Sequence, residues 1–166
     1  MTDDTDLTTI RTIIDAAKVA VLTTTSEAGE LHSRPLAVLN DSNDTGETFE
    51  GSLWFFTADP SPKSHDIAVN PEVNVAYADS KGYLSIAGTA SIDRDPTRID
   101  RLWSPMVEAW FENGKDDPSV ALLRVDARSA EYWSIDKPGV VRAFEIAKAL
   151  VTKTPPDLGE NRTVAL

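Results

Sequence analysis

Ser52-Leu53-Trp54-Phe55-Phe56-Thr57 runs directly into Ala58-Asp59-Pro60-Ser61-Pro62-Lys63-Ser64, and the join between them decides the fold. The first six residues read as a strongly apolar strand. Ser61 then stands as an N-cap with Pro62 at the first helical position, where proline is favoured. The helix so opened spans 62–70 and is stopped by Pro71.

Outward from this join the texture stays short and β-like. Downstream, 73–78 reads as a strand, Asp79-Ser80-Lys81-Gly82 as a turn and 83–92 as another strand. Upstream, Leu7, Ile10, Ile13, Ile14 and Ala17 recur at helical spacing over 7–18, with Asp6 as N-cap. Strands at 19–25 and 31–39 flank the turn Glu27-Ala28-Gly29-Glu30 and make a hairpin; 40–50 is a polar loop. Asp95-Pro96 opens a helical stretch, broken at Pro105, that reaches about residue 111. A polar loop at 112–118 precedes two strands, 120–127 and 130–135. A helix over 140–151 and an extended tail, 154–166, complete the chain. Seven strands with a few flanking helices predict an antiparallel α+β, mainly β protein, and strands of this number commonly close a barrel. Most connections are too short for parallel crossovers. The expected organisation is one domain, 1–153, followed by the tail.

The composition excludes several classes. The 166 residues suffice for one domain with its own core. With no cysteine there is no disulfide, thiolate metal site, iron–sulfur cluster or cysteine nucleophile, which fits a cytoplasmic location. No apolar run approaches a membrane span. A net charge of −11 argues against nucleic acid and anionic lipid, although one local phosphate site is compatible with it.

Two segments could carry chemistry. The N-terminus of the 62–70 helix offers free N–H groups, the Ser61 and Ser64 hydroxyls and the Lys63 ammonium to a phosphate; an ordinary capped helix with an exposed lysine explains the same residues. Arg34 shares side-chain parity with Leu36 and Val38, so it needs an anionic partner, either a ligand phosphate or a structural carboxylate. Pro35 marks an edge or bulge there. His32 and His65 share no metal-ligand spacing, and the contiguous Ser64-His65-Asp66 is no triad, because neighbours on a helix point apart. Trp103, Trp110 and Phe111 read first as core or dimer packing.

The order and spacing of several segments add a resemblance. These are Ser33-Arg34-Pro35-Leu36, Leu53-Trp54-Phe55-Phe56-Thr57 with Ser61 and Lys63, Asn70-Pro71-Glu72-Val73-Asn74-Val75-Ala76-Tyr77, and 83–90 with Gly88. Further on come Leu102-Trp103-Ser104-Pro105, Ala109-Trp110-Phe111 with Gly114, Asp117-Pro118 and Ala130-Glu131-Tyr132-Trp133. From about residue 7 to 151 the chain resembles the pyridoxamine 5'-phosphate oxidase-like superfamily, in its bacterial general stress protein branch. The resemblance implies a split β-barrel of six to eight strands that forms a homodimer, with two FMN molecules in clefts between the subunits. It assigns Arg34, Ser61 and Lys63 to the FMN phosphate, and Phe56 and Thr57 to the strand edge beside the flavin. Tyr83 and Trp133 fall where the oxidase reaches the flavin from the partner subunit.

The departures limit the activity. Pro62 stands where the oxidase usually has a basic residue. The stretch from Ser134 to Arg142 lacks the Arg-x-His motif that holds the oxidase's substrate. The expectation is therefore an FMN-dependent oxidoreductase of another substrate, with FAD as the other admissible flavin and a nicotinamide as candidate donor. A non-catalytic flavin store or sensor has the same site, and a haem or deazaflavin on the same barrel is a further alternative.

Overall fold

The computed structural model describes residues 4–39, 48–135, 139–155 and 159–166. The polar loop expected at 40–50 falls largely outside them. Helix α1 (Asp4–Ala16) leads into the hairpin β1 (Val19–Thr25) and β2 (Leu31–Ala37), then β3 (Ser52–Ala58) and α2 (Pro62–Val69). Next come β4 (Glu72–Asp79), β5 (Gly82–Asp93), α3 (Pro96–Leu102) and α4 (Pro105–Glu108). The chain ends with β6 (Val120–Ser134), α5 (Gly139–Thr152) and β7 (Asn161–Ala165).

The seven strands form one antiparallel sheet in the order β2-β1-β4-β5-β6-β3, with β7 also on β6. The ladder does not close. Strands β2 and β3, the two ends of the path, approach one another without pairing among the described residues, so the barrel is split at that seam. Its interior holds Leu22, Val75, Ile86, Leu123, Val125 and Phe55, plugged at one end by Ile10, Ile13 and Ile14 of α1. A second apolar cluster lies on the outer face of β3 and β6, where Trp54 and Leu122 meet Ile99 and Leu102 of α3 and Val107 of α4.

Three local expectations are corrected. The strands expected at 120–127 and 130–135 are a single strand, β6. The polar run Asp126-Ala127-Arg128-Ser129 suggests a break, but partners on both sides carry the chain through it as a bulge: Ala87 faces Ser129 and Gly88 faces Ala127, leaving Arg128 extra. Arg128 turns back to an ion pair with Glu72 of β4. Residues 161–165, expected in an extended tail outside the domain, pair with β6 at 129–133. Their anchor is a buried polar knot in which Tyr132 Oη donates to Asp6 Oδ1 at 2.7 Å and Arg162 Nη1 donates to the same oxygen at 3.0 Å. Asp6 therefore lies inside the first turn of α1 as an acceptor for the barrel rather than as its N-cap.

Candidate functional site: a cleft at the split seam

The open seam leaves a cleft of about 240 Å³. One wall is Pro35, Leu36 and Ala37 of β2; the other is Phe56, Thr57 and Ala58 of β3. Lys63 at the start of α2 closes one side, and Met106, Val107, Trp110 and Phe111 around α4 form the roof. Strand parity explains the β3 wall. Phe56 points outward beside Trp54 and meets Trp103 edge-on, with ring centroids 5.4 Å apart, and Phe111 at 6.3 Å. Thr57 points the other way and is buried.

Lys63 supplies the charge in this apolar slot. It is half-buried, and no anionic partner holds it among the described residues. Burial pushes its ammonium below the ordinary lysine value, and the Arg34 charge nearby pushes the same way. Both effects favour an anion in the cleft.

The other expected phosphate ligands are engaged elsewhere. Arg34 faces inward with Leu36, where its Nη1 donates to Thr24 Oγ1 at 2.6 Å and its Nη2 lies 3.5 Å from Asp66 Oδ2. Thr24 Oγ1 donates to the same carboxylate at 2.8 Å, and His32 Nδ1 lies 3.5 Å from it. The Thr24 hydrogen bond holds Asp66 below the usual carboxylate range against its burial, with His32 and Arg34 adding to the effect. Of the two partners that the sequence leaves open for Arg34, the fold supplies the carboxylate. Asp66 is the residue that sequence reading missed; its spacing, four residues beyond Pro62, carried no signal without the docking of α2 on β1.

Ser61 is the N-cap of α2 in a reciprocal capping box. Ser64 N donates to Ser61 Oγ at 3.3 Å, and Ser61 N donates to Ser64 Oγ at 2.8 Å. Asp59 adds a carboxylate at this helix end. It is held below its ordinary value by the Ser64 side chain beside it and by Arg94, whose Nη2 donates to it at 2.6 Å. Of the four groups expected at the helix start and on the barrel, only Lys63 therefore faces the cleft.

Tyr83 and Trp133 lie elsewhere in a single chain. They are directly opposed across β5 and β6 and point outward, 54% and 38% exposed. Together they line an apolar outer surface with Val19, Val21, Ala76 and Ala78, and a neighbouring cleft of about 310 Å³ that includes Arg142. Of the core or dimer packing that the spacing predicts for Trp110, the core is excluded: in the single chain it stands 76% exposed at the roof of the seam cleft.

An antiparallel barrel split at one seam, with an apolar cleft and one lysine in the split, can be set beside known proteins. The family described as pyridoxamine 5'-phosphate oxidase like matches residues 5–157. The chain belongs to this family. General stress protein 26 of Bacillus subtilis is 29% identical over 119 residues, 69% of this chain and 78% of its own length. The crystal structure of a putative general stress protein 26 from Jannaschia sp. superposes with a TM-score of 0.76 at 28% identity, covering 98% of this chain and 99% of that one. A general stress FMN/FAD binding protein from Xanthomonas citri superposes with a TM-score of 0.64 at 31% identity, covering 78% and 88%. The two superposed structures share the fold of this member of the pyridoxamine 5'-phosphate oxidase-like family. Among the described residues, no helix is long and apolar enough to cross a membrane.

Proposed function

We propose that the seam cleft binds a flavin mononucleotide, with FAD as the alternative flavin, and that the protein is a flavin-dependent oxidoreductase of the cytoplasm. The observation that carries this reading is the half-buried Lys63, unpartnered among the described residues, at the end of an apolar slot walled by Phe56, Phe111 and Pro35. A flat apolar ring with a phosphate tail meets both features. The Xanthomonas citri relative's description as FMN/FAD binding supports the same ligand class.

In this reading Lys63 holds the phosphate, and Arg34 supports it from behind through its field rather than by contact. Phe56 and Thr57 border the ring, and Trp110 and Met106 screen it from water. The bound flavin supplies hydride chemistry, so no side chain of the cleft has to act as a general base. Tyr83 and Trp133 contribute through a second copy of the chain. The outer sheet surface around them, with Val19 and Val21 exposed, is apolar enough to be an isologous interface. A nicotinamide is the candidate donor.

The test is the absorption spectrum of the freshly purified protein, with mass spectrometry of whatever it releases. Flavin bands and the mass of FMN or FAD are expected, followed by turnover of NADH or NADPH with a dye acceptor. A colourless protein that takes up no added flavin refutes the cofactor. Bound flavin that no donor reduces refutes the oxidoreductase and leaves a store or sensor.

A further inference from the structure

A second opening, of about 480 Å³, lies on the same outer face of β3, where Trp54 stands two residues before Phe56. Three arginines converge on it: Arg98 and Arg101, one turn apart on α3, and Arg124 of β6, which is the cross-strand partner of Trp54. Ser52 and, as the single acid among the described residues, Glu50 belong to the same wall. The chain as a whole carries 27 acidic against 16 basic residues, so three arginines around one cavity run against its overall charge.

The arginines are held in place before any ligand arrives. Trp54 is buried, and the Arg98 guanidinium lies 4.0 Å from the centroid of its ring; that of Arg124 lies at 5.5 Å. Stacking on an indole restricts the rotamers of both side chains. Asp126, which is not part of the cavity wall, fixes Arg124 further, because its Oδ1 lies 2.7 Å from both Nε and Nη2 and also accepts from Ser52 Oγ. Arg98 Nε is buried without a hydrogen-bond partner; Asp93 Oδ2 stands 3.7 Å away, an ion pair beyond hydrogen-bonding reach. Two guanidinium groups lie over one indole with a third a helical turn away; Asp93 and Asp126 offset part of this charge, and the Nε of Arg98 keeps an unused donor.

We propose that this cavity is a binding site for the phosphate end of a small molecule, a monoester or a diphosphate. Planar guanidinium forks match phosphate oxygens two at a time, and a phosphate carries more acceptor oxygens and more charge than a carboxylate, which suits several forks at once. Arg98 already covers the Trp54 ring, so recognition falls on the phosphate rather than on a stacked base. The site shares no lining residue with the seam cleft and stands whether or not that cleft takes flavin.

The full-length protein is titrated with inorganic phosphate and with pyrophosphate by calorimetry, with potassium chloride matching ionic strength, while the Trp54 indole N–H is followed by NMR. Saturable binding that moves this resonance is expected, separate from any anion taken up beside Lys63 in the seam cleft. Arg98→Gln and Arg101→Gln should each weaken it about tenfold or more, and Lys63→Met should leave it unchanged. Tighter pyrophosphate assigns a diphosphate; tighter phosphate assigns a monoester. If Arg98→Gln fails to fold without its indole contact, Arg101→Gln decides alone. Heat no greater than that of matched chloride overturns the site. So does binding that Lys63→Met abolishes and Arg101→Gln leaves intact, because the anion would then sit in the seam cleft.

Discussion

Replacing Lys63 by methionine keeps the apolar stem and removes the charge, which isolates the one interaction on which the flavin reading depends. The ammonium is half-buried beside Arg34, with no anion to answer it among the described residues. A phosphate arriving there gains a charge-assisted contact of about 1.5–3 kcal/mol. Its loss corresponds to a rise of roughly 10- to 150-fold in the FMN dissociation constant. Riboflavin has the same ring and no phosphate, so its affinity should barely change. Without ligand, the variant should be at least as stable as the parent, because burial and the Arg34 charge both disfavour the ammonium. Quenching of flavin fluorescence gives both constants, measured at low salt and near 0.15 M, and a thermal melt gives the stability. Equal loss for FMN and riboflavin, or no loss for either, would mean that Lys63 does not touch the phosphate. A clear drop in the melting temperature of the ligand-free variant would mean that the lysine has a structural partner.

Asp66→Asn should destabilise the fold by roughly 1–3 kcal/mol, since it weakens the acceptor shared by Thr24, Arg34 and His32. The parent's Asp66 titrates below its ordinary value, so the carboxylate adds stability above about pH 4, and this is lost as pH falls through the lower folded value. Melts between pH 2 and 6 should therefore fall more steeply for the parent than for the variant, by about one proton's worth of slope. Trp133→Glu introduces charge into the apolar outer face, and sedimentation should show a monomer that has also lost its flavin; a monomer that keeps flavin argues against the shared cleft. In Gly88→Ala the new Cβ would collide with the backbone oxygen of Asp126 beside the bulge, and a denaturant series should show a loss of about 1–3 kcal/mol. Ending the chain after Thr154 removes β7 with the buried Val164 and the Arg162 contact to Asp6. It should cost about 2 kcal/mol or more, where a free tail would be dispensable.

The residue pattern alone determined most of the elements and their kind. Alternation and turn residues mark the β1–β2 and β4–β5 hairpins, and the Ser61-Pro62 pair marks the start of α2, because these signals are local and are read within a few residues. The spacing of the family segments extended that to the split barrel and to Phe56, Thr57 and Lys63 at the cleft. Only the tertiary structure could decide that β6 runs unbroken past Arg128, that residues 161–165 join the sheet, and that Arg34 turns to Asp66. Each of these depends on a partner far along the chain: β5 opposite the bulge, β6 and Asp6 beside β7, α2 laid against β1. A polar run, a tail and a barrel arginine look alike in sequence whether or not such a partner arrives, because burial and pairing are properties of the packed whole.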